Sequence, residues 1–527
     1  MDELTSDSSS EGMTQLGEQL ENPYSVENMK RALDNLRKSQ ASGRISADGV
    51  EITTTHLYLK FKPKNEAEMA ILKRDSTLIL FNYPLDYPIV KEGDYYHDPT
   101  IPLDRPTYQY TSVTVDKELP SGVEYEVLAE LFIPDEEKDG VKINGRLSEE
   151  IVEELVNEAL RITGNLENKS SVNGRIQSSS WRPSERVRVW DDRAARFVPV
   201  VGIEVRAKRW FTVHTGTTNS FGNYSCNGTF KRQADYSINW ETYHFSVRSG
   251  TFGQAENSRS NLEGSWNPDY GALNSTAVNN TQQYYALIFQ AARDYYYGHR
   301  FALSSPPRNS GAHPQVKIAA NVTERQNEKP SHAAMYARTG GILPSIYIRK
   351  WESRSDIVYA VTAHELAHAA HWDMDRAAFL TLVIGFGVLG NESKNAVVES
   401  WASGVEWQFA QERYRGLLGI VGYEYGTGTR DGGNYQKLML SGFTNWPNDL
   451  IYTSIVVDMI DDENQRFTRG HSGSIAYPQD RVGGYTIQQI EEGLLGATTW
   501  NEWRNSMINR HDNPSEGNLN ELFANWY

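Results

Sequence analysis

Apolar positions along the chain change their period several times, and each change marks an element. Residues 26–36, which follow Asn22-Pro23-Tyr24-Ser25, place Met29, Leu33 and Leu36 at helical spacing. Leu57, Leu59 and Phe61 then alternate with Tyr58 and Lys60, the period of a half-buried strand. A helix over 66–74, a buried strand over 77–81 and a helix over 148–160 follow, so 23–164 reads as an N-terminal α+β domain. The polar stretch 165–182 reads as a linker. Short β-rich segments at 186–190, 200–207, 210–213, 222–226 and 236–240, separated by Gly and Asn turns, predict a small β-sandwich over 183–255.

Helical spacing returns at 281–297, where Tyr285, Ile288, Phe289 and Ala292 share a face, Asn280 is placed to cap the start and Gly298 to end it. Strand patterns at 315–319, 332–336 and 345–349 lead directly into a helix over 356–372. The apolar run 379–389 is too short for the roughly 20 residues of a membrane span and reads as a buried segment. Helices are expected over 450–460, 487–495 and from 500. The fold class is α+β multidomain, with the second half divided into 256–410 and a mainly helical 411–527.

Length agrees with this division, because 527 residues exceed what one core can hold and point to about three or four domains. A net charge of −16 argues against nucleic acid as a partner, since phosphate binding needs clustered Lys and Arg. The single cysteine, Cys226, rules out an intrachain disulfide and a thiolate-rich metal site. Residues 1–22 read as a flexible tether, and the start lacks the basic and apolar regions of a signal peptide. This acidic, Ser-rich start resembles the tether that follows the lipid-bearing cysteine of bacterial surface lipoproteins. The resemblance implies an export signal upstream of Met1, an extracytoplasmic place in the cell envelope or on its surface, and membrane attachment only through that lipid.

The chemistry concentrates at His364-Glu365-Leu366-Ala367-His368. Two imidazoles one helical turn apart can bind one tetrahedral Zn²⁺, and the carboxylate beside the first can take a proton from a water the metal acidifies. With 12 His in the chain, chance supplies about 0.02 such matches. A hydrolytic zinc keeps three protein ligands, so a third is needed. His371 is on the right face but roughly 10 Å along the axis from His364, too far to share the ion, and is assigned to the cleft lining or to packing. Met374 stands where the metzincin extension requires its last His. A carboxylate from a later helix remains, with Glu392, Glu399 and Glu406 as candidates. Glu399 is favoured, because its helix carries Ala402, Ser403 and Gly404, small enough for close packing against a neighbour.

Here the chain resembles the gluzincin peptidases, the class of thermolysin and the neutral aminopeptidases, over about 280–410. Glu399-Ser-Trp-Ala402-Ser403-Gly-Val-Glu406-Trp407 is similar to the aminopeptidase version of the glutamate-bearing helix, although the 31-residue gap from His368 to Glu399 is longer than those families use. The resemblance implies a zincin-type catalytic domain in which His364, His368 and Glu399 bind Zn²⁺. Glu365 would take a proton from the attacking water and pass it to the leaving amine. The aminopeptidase strand motif is incomplete, since Tyr336 and Ala337 follow Met335, which favours a strand that pairs with an extended peptide. Tyr423, Tyr425, Tyr452, His471, Tyr477 and Tyr485 are all candidates for the oxyanion donor. Residues 183–249 resemble the carboxypeptidase-regulatory, transthyretin-like β-sandwich, which implies a spacer or adhesion unit. The expectation is a metalloendopeptidase-like zinc enzyme acting on peptide or protein substrates; the alternative is a silent surface scaffold that retains the fold.

Overall fold

A computed structural model describes residues 12–39, 50–134, 149–166, 180–250, 253–310, 314–320, 346–348, 353–384, 391–426, 435, 452–464 and 479–527. Outside these lie residues 1–11 of the expected tether, 167–179 of the linker, the strand at 332–336, positions 385–389, residues 450 and 451, and the candidates His471 and Tyr477. The architecture mixes helices with several small sheets, and the chain divides into two compact units. Among the described residues no helix is long and apolar enough to cross a membrane.

The first unit comprises residues 1–187, 199–243 and 252–268. Helix α1 (Val26–Ser39) buries Met29, Ala32 and Leu33 on the side predicted by spacing. Strand β1 (His56–Phe61) is followed by α2 (Glu66–Arg74), whose start is capped by Asn65 accepting from the Glu68 amide. β1 forms the centre of an antiparallel sheet between β2 (Gln109–Thr114) and β3 (Tyr125–Leu131), and α3 (Glu149–Ile162) packs on α1. The strand expected at 77–81 does not form. Phe81 alone meets the open edge of β2, through a reciprocal pair of backbone bonds to Tyr110 at 2.8 and 2.7 Å.

A second antiparallel sheet is built from β4 (Glu204–Arg209), β5 (Thr212–Thr217), β6 (Ala234–Asn239) and β7 (Glu256–Leu262), in the order β5-β4-β6-β7. The tight β4–β5 turn holds Trp210 at φ 53° and drives Phe211 into the core of the α+β part, with ring centroids 4.8 Å from Tyr58 and 6.4 Å from Tyr24. The α+β part and this sheet therefore share buried surface inside one unit.

The second unit comprises residues 188–198, 244–251 and 269–527. Helix α4 (Thr281–Tyr297) begins at its Asn280 cap and ends at Gly298, as the pattern predicts. It is buried on almost every side, however, because a sheet lies against it and a second helix covers it. The sheet is parallel: the strand Phe245–Ser249, then β8 (Val316–Ala320), then β9 (Ile346–Ile348). Tyrosines on α4 keep apolar bodies in the core and use their tips on the sheet, Tyr284 donating to the Ile348 carbonyl at 2.7 Å and Tyr285 meeting Ser249 at 3.0 Å. The covering helix is α5 (Ser355–Met374), which precedes α6 (Arg376–Val383) and the long α7 (Glu392–Leu418). α6 buries Phe379 and Leu382 but exposes Leu380, and Ile384 just beyond it is exposed too, so the described part of the apolar run is only partly buried. α8 (Ile455–Ile460) reaches α7 closely because a Cβ on Gly404 would lie 2.2 Å from Val456. Helices α9 (Ile487–Gly493), α10 (Trp500–Arg510) and α11 (Leu519–Ala524) complete the unit.

Candidate metal centre

α5 runs between α4 and α7 and is rich in alanine (360, 363, 367, 369, 370), which lets both neighbours approach and favours the helix at no side-chain entropy cost. Its first turn has no side-chain cap from Arg354. Instead, Asp192 accepts from the Ser355 amide at 2.8 Å, and the Ser355 hydroxyl accepts from the Asp192 amide at 2.7 Å. Burial pushes the Asp192 carboxyl up to about 6. Arg354 holds Asp356 with two bonds at 3.0 and 2.7 Å.

One turn apart on this helix, the His364 and His368 rings point to a common spot, and Glu399 of α7 completes it. The Nε2 atoms of the two histidines are 3.1 Å apart; Glu399 Oε2 lies 3.2 Å from His364 Nε2 and 3.7 Å from His368 Nε2. Tetrahedral bonds of about 2.0–2.1 Å separate neighbouring ligand atoms by about 3.3–3.4 Å, so these three spacings fit one small ion. All three side chains are buried. Imidazole, imidazole and carboxylate, with no thiolate, is a donor set that suits zinc.

Glu406, weighed above as a ligand, takes another part. Seven residues beyond Glu399 on the same face of α7, its Oε2 lies 3.1 Å from His364 Nδ1, while its Oε1 accepts from the Tyr435 hydroxyl at 2.8 Å. A carboxylate behind a histidine fixes the ring and the tautomer, leaving Nε2 as the lone-pair nitrogen. Glu392, at the start of α7, is not brought into the cluster.

Glu365 is half-buried, and its Oε2 has no hydrogen-bond partner. Burial raises its carboxyl to about 8, His364 pulls the value down, and Glu399 adds to the rise. For His364 burial works against the charged form, but the bonds to Glu399 and Glu406 outweigh it and the net direction is up. Burial opposes the Glu399 carboxylate, yet the two histidines hold it well below the usual range. Burial lowers His368, with Glu399 partly offsetting it.

His371 is fully buried with neither ring nitrogen bonded, packed edge-on to Phe379 with centroids 5.2 Å apart, and burial depresses its pKa to about 3. Its place is a packing one. Among the oxyanion candidates, Tyr452 is brought to the cluster: its hydroxyl bonds Glu399, and its ring centroid is 6.4 Å from that of His364. The chain is pinned there because Thr453 bonds Ser400 through amide and hydroxyl, at 3.0 and 2.9 Å. Tyr423 and Tyr425 go elsewhere, to Arg193 and to the Asp356 carbonyl, and Tyr485 follows α8 through a backbone bond to Met459. Sequence reasoning missed Tyr435, which no spacing links to Glu406. Tyr452 was one candidate among six.

Comparisons with protein-family models, with curated proteins and with solved structures return no match for this chain. Its geometry is therefore the ground on which a function is argued.

Proposed function

We propose that this protein is a zinc-dependent peptidase of the gluzincin type, acting on peptide or protein substrates, with His364, His368 and Glu399 as the metal ligands. The observation that carries the reading is the convergence of three ligand atoms, from two helices, at the spacing of one tetrahedral ion. Glu406 behind His364 and the unpartnered oxygen of Glu365 give it the surroundings of a working centre rather than a chance cluster.

His364, His368 and Glu399 would hold Zn²⁺, which would supply Lewis acidity toward a carbonyl oxygen and a water. Glu365 takes the proton of the attacking water on its free oxygen and returns it to the leaving amine. The Tyr452 hydroxyl, held beside the ligands, is the donor for negative charge that develops on the carbonyl oxygen. Glu406 and Tyr435 keep the His364 ring from turning.

The test is metal content alongside digestion of a mixed peptide library. The expected result is one zinc per chain, lost in His364→Ala and Glu399→Ala, with cleavage abolished and zinc retained in Glu365→Gln. Zinc bound without any cleavage would leave a silent scaffold. Unchanged zinc content in His364→Ala and Glu399→Ala would remove the ligand assignment.

A further inference from the structure

A cavity of about 500 Å³, built wholly from residues of the first unit, has no part in the reading above. Its volume lies in the range of small-molecule pockets. Its wall carries Lys117, Arg209, Lys231 and Arg232 together with His56 and His214, and no carboxylate is among the described residues that line it. A random sample of positions from this chain would hold more acids than bases, because it has 68 Asp and Glu against 52 Lys and Arg.

The wall is constructed rather than merely charged. Arg209 Nη1 donates to the Gln233 carbonyl at 2.8 Å and Arg232 donates to the Asn157 side-chain oxygen, so uncharged oxygens orient these guanidinium groups. Lys117 donates to Asp75 at 2.7 Å and to Thr77. His214 has its place only because residue 228 is glycine: a Cβ there would lie 2.0 Å from the imidazole Cε1. Hydroxyls of Thr114, Thr212 and Thr229 add neutral donors, while Ile79, Val156 and Phe230 supply an apolar surface. Positive charge, hydroxyl donors and an apolar wall in one concavity match an amphipathic anion.

We propose that this cavity binds a small organic anion, a carboxylate or phosphate head carried on an apolar body. The probe is 1-anilinonaphthalene-8-sulfonate, titrated by fluorescence on the full chain, with N-phenyl-1-naphthylamine as the uncharged counterpart. The expected result is a single saturable site that the uncharged compound fills about tenfold less tightly, and that weakens about tenfold in Lys231→Glu but not in Lys231→Arg. Displacement by inorganic phosphate rather than acetate identifies a phosphate head; the reverse identifies a carboxylate. Equal binding of the two probes, several weak sites, or full affinity in a folded Lys231→Glu overturns the proposal. Should that variant fail to fold, the wild-type salt dependence decides: affinity that falls with ionic strength supports the site, and affinity indifferent to it overturns the site.

Discussion

His364 is held at both ring nitrogens, and the two contacts do different work. Glu399 at Nε2 shares the ligand spot, whereas Glu406 at Nδ1 orients the ring. Glu406→Gln is therefore expected to weaken zinc binding by about 10- to 100-fold, measured by competition with a chromogenic chelator, while Glu399→Gln removes tight binding. Tyr452→Phe should lower kcat about 10²- to 10³-fold with little change in KM, because the donor acts on charge absent from the ground state. In the first unit, Glu256 is buried with Thr14 and Asn82 as partners, and burial raises its carboxyl from 4.5 to about 7. The folded chain thus holds this proton more tightly than the unfolded one, so the contribution of Glu256 to stability is fully present below about pH 4.5 and is lost as pH rises through about 7. Glu256→Gln should remove that decline, a difference on the order of 3 kcal/mol at pH 8 and near zero at pH 4, read from urea unfolding at each pH. At this scale the meeting of His364 and His368 could be read from the chain, because helical spacing places them on one face, whereas Glu399 comes from α7 and is singled out by the small residues of its helix and by resemblance. Tyr435 could not be read, because its contact with Glu406 crosses 29 residues with no period to announce it.

The elements that hold these residues are themselves tied by one buried cation. Arg413 on α7 lies over the Tyr359 ring of α5 at 4.4 Å, donates to Gln290 of α4 at 2.8 Å, and faces Asp191 and Asp294 at 3.6 and 3.7 Å. Nearby, Tyr414 donates to Asp191 at 3.0 Å and Tyr359 to Asp294 at 3.0 Å. Removing the cation would leave the buried Asp191 carboxylate without its cation, while the more exposed Asp294 keeps Arg293. Arg413→Met is accordingly expected to destabilise the second unit by about 3–5 kcal/mol in denaturant unfolding, without touching any ligand. The α4 bounds were readable in advance because both of its signals are local, an Asn cap and a terminal Gly. Its full burial was not, since a pattern of one apolar face does not report what comes to cover the others. The same limit explains α6, where the apolar run promised burial and, among its described residues, Phe379 and Leu382 found it. At 77–81 composition favoured a strand, but only Phe81 reaches the edge of β2, as an isolated bridge to Tyr110.

For the molecule as a whole, the proposed metal ligands all come from the second unit, so the stability an ion adds should fall to that unit. An ion that binds the folded form at 100 times its Kd adds about 2.7 kcal/mol. Scanning calorimetry is expected to show a chelator lowering the transition of the second unit while that of the first stays in place. The chain's division was the part least visible in the pattern. Periodicity separates the N-terminal α+β segment from the sheet that follows, yet Phe211 is buried among Tyr24 and Tyr58, a contact between residues far apart in sequence. The second unit, too, is not one continuous run: residues 188–198 and 244–251 are drawn from between stretches of the first. Vectorial synthesis gives that arrangement a consequence. Asp192 leaves the ribosome 163 residues ahead of Ser355, whose amide it accepts from, and Asp191 leaves 223 residues ahead of Tyr414. The histidine-bearing helix therefore waits for α7 to emerge, and these two aspartates are synthesised well before either of the partners they serve in the folded chain exists.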